Sequence, residues 1–141
     1  MFLGDFYPRM DEKGRIALPA KFRDRLGAGM VITKGQDRCL YVYPQTEFER
    51  MADRLSRTSS TAATRNYMRQ FFGGADDQTP DKQGRVVVKQ ALREYAALDR
   101  ECAVIGVNNR VEIWDAVAWC EFTEAQEQQF VEFSEDLLAP E

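Results

Sequence analysis

DEKGRIALPAKFRDRL at residues 11–26 and DKQGRVVVKQALREYA at residues 81–96 are two copies of one pattern. At an offset of 70, Asp11 meets Asp81, Gly14 meets Gly84, Arg15 meets Arg85 and Arg23 meets Arg93. Apolar positions agree as well, at Ile16/Val86, Leu18/Val88 and Phe22/Leu92. One extra residue in the second copy extends the match to CLYVYPQTEF (39–48) on RVEIWDAVAW (110–119). Leu40 then meets Val111, Val42 meets Ile113, Tyr43 meets Trp114 and Phe48 meets Trp119. A shared DxxGR is easily met by chance, but the same apolar pattern carried far beyond it is the mark of an internal repeat.

Each copy predicts the same elements. A short strand leads to the DxxG turn, where Gly14 and Gly84 supply the positive φ of a tight reversal. A second strand follows, RIAL or RVVV. A short helix comes next, with Pro19 expected at its first position, where a missing N–H costs nothing. Phe22 and Leu26, or Leu92 and Ala96, share one face of that helix. Two further strands close the unit, MVITK with LYVY and CAVIGV with VEIW. Longer helices are expected from Pro44 to about Leu55, from Ala62 to Phe72, and from Ala116 into the acidic tail, whose last residues should fray. A unit of about 45 residues buries too little to stand alone, so the two copies should close on each other as an intrachain pseudo-dimer. Phe2, Phe6, Tyr7, Phe71 and Phe72 exceed what so small a unit can bury, which predicts further association.

Composition narrows the function. The chain has 141 residues, 44% hydrophobic and 30% charged, as in a globular protein. No apolar run is long enough to span a bilayer, and the N-terminus lacks the apolar region of a signal peptide, so a cytoplasmic location is expected. There is no histidine, which removes the commonest general base and every Ser-His or Cys-His pair. Neither a phosphate-binding loop nor a nucleophile elbow is present. The three cysteines, Cys39, Cys102 and Cys120, form no CxxC and suit no structural zinc site. No catalytic residues, metal, cofactor, membrane or small-molecule substrate are therefore expected. The net charge of −4 conceals polarity: residues 1–70 carry 13 Lys and Arg against 8 Asp and Glu, and residues 71–141 carry 6 against 15. The basic half is the candidate for a polyanion.

MFLGDFYPRMDEKGRIALPAKFR (1–23), CLYVYP (39–44), FGG (72–74), DKQGRVVVKQALR (81–93) and VEIWD (111–115) together resemble the MraZ family in order and spacing, over essentially residues 1–120. The resemblance implies an α+β fold, mainly β with short helices, made of two tandem swapped-hairpin AbrB-like units. The first would span 5–47 and the second 76–119, with linking helices at 48–75 and an acidic C-terminal helix and tail at 120–141. It implies a homo-oligomer, a ring of many subunits, binding double-stranded DNA at direct repeats upstream of a division and cell-wall gene cluster and repressing its own promoter. It also implies association with the nucleoid and a DNA role for Asp11/Arg15 and Asp81/Arg85.

The chemistry of the turn fits. Arginine offers a fork of donors for a guanine edge or a phosphate, and Arg15 stands among Arg9, Lys13, Lys21, Arg23 and Arg25. The DNA-binding candidates are Arg15, Lys13, Arg9, Arg85 and Lys82. Arg85 is the weaker of the two turn arginines, with Asp76, Asp77 and Asp81 nearby, and Lys89 replaces Pro19 in its copy. Asp11, Gly14, Asp81 and Gly84 read as turn-forming residues, with each aspartate able to pair with its own arginine. Arg23 and Arg93 fit a salt bridge as well as a phosphate contact, and the Tyr43/Trp114 and Phe48/Trp119 pairs read as core. An AbrB-like antitoxin and a scaffold that does not bind DNA are the alternatives. A folded second repeat in place of a disordered tail speaks against the first, and the arginines at the first turn against the second.

Overall fold

The computed structural model describes residues 1–138. The strands are β1 (Asp5–Phe6), β2 (Arg15–Ala17), β3 (Met30–Lys34) and β4 (Leu40–Pro44), then β5 (Asp76–Gln78), β6 (Arg85–Val87), β7 (Cys102–Val107) and β8 (Arg110–Asp115). The helices are α1 (Ala20–Leu26), α2 (Gln45–Ser56), α3 (Ala62–Gly73), α4 (Gln90–Tyr95) and α5 (Ala116–Glu132). The expected fraying of the acidic terminus falls on residues 139–141, outside the described residues.

The repeat folds as an interlocked pair. One antiparallel sheet runs β1-β7-β8-β4-β3-β5, and β2 pairs with β6 in a separate ribbon. The first strand of each copy joins the other copy: Asp5 and Phe6 pair with Ile105 and Val104, while Asp76 pairs with Ile32. The strands on either side of each turn therefore do not make a ladder with each other, and a free-standing DxxG hairpin is not what forms. At the centre, Leu40, Tyr41 and Val42 pair with Ile113, Glu112 and Val111, so a pseudo-twofold passes through Tyr41 and Glu112.

Two apolar layers hold the sheet. On one side Ile16, Leu18, Phe22 and Leu26 meet Val86, Val88, Leu92 and Ala96, all fully buried, under the ribbon and the short helices. On the other, Tyr43, Phe71 and Trp114 are buried beneath α2, α3 and α5, with Phe48 and Trp119 half-buried against them. These aromatics are core, as expected. Pro19 stands one residue before the first helix, with φ −53° and ψ 138°, and Lys89 holds the same backbone with φ −57° and ψ 149°. The two helix starts therefore share one geometry, although only the first has its φ fixed by a proline ring.

The aromatic argument for further association is overturned in part. Phe2 and Phe71 are buried within the chain, and Phe6 and Phe72 half-buried. Of the five residues only Tyr7 is well exposed. Arg25 caps Phe2, its guanidinium 4.4 Å from the ring centroid. The strand exchange supplies the burial that a lone unit lacks.

Candidate nucleic-acid interface

Both DxxGR turns are built by the same hydrogen bonds. Asp11 Oδ1 accepts from the backbone N–H of Lys13 and of Arg15, each at 2.9 Å, and its Oδ2 accepts from Arg15 Nε at 2.6 Å. Asp81 does the same for Gln83 N, Arg85 N and Arg85 Nε, all at 2.9 Å. Gly14 and Gly84 complete the reversals at φ +76° and +74°, each donating to the aspartate carbonyl. The backbone N–H of the arginine, then its side chain and the backbone N–H of Lys13 or Gln83, hold each carboxyl below the ordinary carboxylate value. Pairing with the arginine and readiness for DNA are compatible. The aspartate takes Nε alone, and no hydrogen bond among the described residues uses the terminal nitrogens of Arg15 or Arg85.

The ribbon places the two arginines on one face. Arg15 is paired with Val87, Ile16 with Val86 and Ala17 with Arg85. Side chains alternate along a strand and cross-strand partners share a face. Ile16 and Val86 point inward and are buried, so Arg15, Ala17, Arg85 and Val87 share the outer face. The arginines are offset by two residues, about 7 Å along the strand direction. Leu18 N–H donates to Gly84 O and Val88 N–H to Gly14 O, both at 2.9 Å, tying each strand to the opposite turn.

The other candidates are placed unevenly. Lys13 and Lys82 are exposed on their turns, at unlike positions because the repeat aligns Lys13 with Gln83 and Glu12 with Lys82. Arg9 is exposed but held 3.0 Å from Glu101, an exposed pair of little energetic weight. The acids near Arg85 are partly spoken for: Asp76 lies 3.4 Å from Lys89 and accepts from Gln78.

Two features escaped the sequence. Arg23 and Arg93 make no ion pair within salt-bridge distance among the described residues; each lies across the turn of the other copy. A Cβ on Gly84 would stand 2.1 Å from Arg23 Nε, and one on Gly14 3.1 Å from Arg93 Cζ. Arg23 Nε donates to Leu18 O at 3.0 Å, whereas Arg93 Nε is buried with no partner. The offset of 70 had aligned these arginines, but only the fold shows what they touch. Gln78 also grips Val87 through both its backbone N–H and its carbonyl, at 3.0 and 2.8 Å. Its counterpart is Pro8, so the repeat held no signal for it.

A sequence model of the MraZ protein family, described as antitoxin-like, matches residues 1–70 and again residues 71–139. The chain belongs to the MraZ family. Proteins named transcriptional regulator MraZ from Frankia alni and Salinispora tropica are each 55% identical over 139 residues. These matches cover 98% of this chain and 97% and 98% of theirs. The one from Thermobifida fusca is 54% identical, over 98% of this chain and 97% of its own. Membership of this family of transcriptional regulators places the chain outside the enzyme classes. No helix among the described residues is long and apolar enough to cross a membrane. The tandem MraZ matches agree with the two-copy α+β architecture.

Proposed function

We propose that the chain is a sequence-specific DNA-binding transcriptional regulator whose contact surface is the outer face of the β2–β6 ribbon. What supports this most is the pairing of the turns. Two copies of one arginine clamp are joined side by side on one face, each offering two unbonded terminal nitrogens from a fixed Nε. A bidentate contact needs that planar fork held still. Lys13 and Lys82, with Arg9 at the margin, supply phosphate contacts that position the ribbon without reading sequence. Arg15, in the more basic half, carries more of the affinity than Arg85. The two half-units, 5–47 and 76–119, act as one DNA-facing body, because neither forms its ribbon or its sheet alone. One such face binds feebly; a homo-oligomeric ring engaging direct repeats multiplies it through effective concentration. In this reading the chain works in the cytoplasm on the nucleoid and represses its own division and cell-wall gene cluster.

The test is fluorescence anisotropy with a labelled duplex from this gene's own upstream region, against a scrambled duplex, at two salt concentrations. The native chain, Arg15→Ala and Arg85→Ala are compared. Repeat-dependent binding that weakens steeply with salt and nearly disappears in Arg15→Ala, with the oligomer surviving on a sizing column, is the expected result. Equal and weak binding to both duplexes, untouched by either substitution, would overturn the reading and favour a scaffold.

A further inference from the structure

A pocket of about 260 Å³ opens at the end of β3, between α3 and α4. Tyr67 and Phe71 from α3 and Tyr95 from α4 form its aromatic walls, and Lys34, Gln36 and Gln70 its polar ones. It is held in shape from three sides. Tyr95 donates its hydroxyl to Gly35 O at 2.6 Å, Thr33 donates to Phe71 O at 2.5 Å, and Tyr67 stacks on Phe71 with centroids 5.4 Å apart. The loop beside it carries two successive non-glycine residues in the left-handed region, Asp37 at φ 63° and Arg38 at φ 60°. Strain of that kind concentrates at ligand sites and switch regions.

The pseudo-twofold shows that the opening is specific to this half. Lys34 pairs with Leu40 as Gly106 pairs with Val111, and Tyr95 aligns with Arg25. In the other half the backbone of Phe2 and Leu3 runs against Gly106, and the Phe2 ring lies under Arg25. The equivalent space there is filled. Here Phe72, the counterpart of Phe2, turns instead to Phe48 and Phe71, with centroids at 5.6 and 5.3 Å.

The chemistry of the walls selects a ligand. Lys34 Nζ donates at 2.6 Å to Gln70 Oε1, a neutral amide, and lies 5.3 Å from the Tyr95 centroid. Arg38 lies 5.0 Å from the same ring. Neither cation has a carboxylate within salt-bridge distance among the described residues. The adjacent acid, Asp37, is exposed on the loop and is not part of the lining. Aromatic walls favour a flat ring, an un-neutralised ammonium favours an anion, and the volume lies below that of drug-sized sites. We propose that this pocket binds a small, single-ring aromatic anion.

The test titrates the full, isotopically labelled chain with benzoate and follows backbone amide shifts. Benzylamine controls for charge and cyclohexanecarboxylate for the flat ring. Saturable shifts confined to residues 34–36, 67–71 and 95 are expected with benzoate, weaker ones with cyclohexanecarboxylate and none with benzylamine. Lys34→Gln should weaken benzoate about tenfold, the scale of one charge-assisted hydrogen bond, and Lys34→Arg should restore it. The amide spectrum of each unliganded variant shows whether its fold is kept. Absent or unsaturable shifts, equal binding of benzylamine or of cyclohexanecarboxylate, or Lys34→Gln binding like the native chain would each overturn the proposal.

Discussion

Arg23 lies across Gly84 so closely that a methyl group on that glycine would stand 2.1 Å from Arg23 Nε and 2.4 Å from its Cζ. The reciprocal contact, Arg93 on Gly14, is looser at 3.1 Å. Both glycines also hold φ near +75°, where any L side chain costs about 1–2 kcal/mol. Gly84→Ala adds to this the displacement of Arg23 and the loss of its bond to Leu18 O, about 1 kcal/mol more. Urea unfolding should therefore rank Gly84→Ala below Gly14→Ala in stability. Arg23→Ala in the Gly84→Ala background should recover only the steric share. Equal losses at the two glycines would show that the arginine contact carries no weight.

The two turn aspartates make a pH prediction. Their folded pKa values lie below the ordinary carboxylate value, chiefly through the N–H of the arginine four residues on. A depressed carboxylate stabilises the fold above its unfolded pKa, and the contribution is lost as pH falls through the folded one. Carboxyl carbon shifts of Asp11 and Asp81, followed into acid, should titrate below those of an aspartate in an unfolded peptide. Asp11→Asn should leave Arg15 without its ionic anchor while keeping an oxygen for the Arg15 N–H. A midpoint at the ordinary value would refute the clamp.

Glu112 is a buried carboxylate at the pseudo-twofold. It accepts from Arg110 Nη2 at 2.8 Å and from Trp114 Nε1 at 2.9 Å. Glu112→Leu leaves a guanidinium and an indole N–H facing an apolar group, and should cost about 3 kcal/mol, the low end for a broken buried pair, because Arg110 keeps some solvent contact. Glu112→Leu combined with Arg110→Met should regain much of that loss. Calorimetric melts of the two variants would separate the cost of an orphaned charge from that of a missing contact.

The cysteines should differ sharply in reactivity. Burial pushes the Cys102 thiol up to about 11 and the Cys39 thiol up further, while Cys120 is exposed on α5. A maleimide at neutral pH should label Cys120 in the native chain and reach the other two only in denaturant. Native labelling of a Cys120→Ser variant would mean that the sheet opens more readily than its burial implies.

Much of this was legible in the residues. The offset of 70 located both turns, both short helices and their buried faces, because duplicated sequence keeps the apolar periodicity that makes each element. Pairing across copies was not legible. A two-residue strand such as Asp5–Phe6 has no period of its own, and nothing local says that its partner is Ile105 and Val104. The same limit hid Arg23 and Arg93. A charged residue on a short helix reads as solvated until the chain returns to place a glycine beneath it. Phe2 and Phe71 looked like surplus for the same reason, since their burial is supplied by segments distant in sequence.

The exchange of first strands has a consequence for how the chain is made. β1 leaves the ribosome well before its partners Val104 and Ile105, which follow only after the whole first copy and most of the second have been made. β2 waits likewise for β6. In the interval β3 and β4 can pair with each other, but both outer edges of that hairpin stay open and Phe22 and Leu26 lack the second copy that covers them. Exposed edges and apolar faces are what bring nascent chains together. Translation that stalls midway therefore releases no folded half, only a sticky one, and the speed of elongation through the second copy becomes part of what sets the yield of this protein.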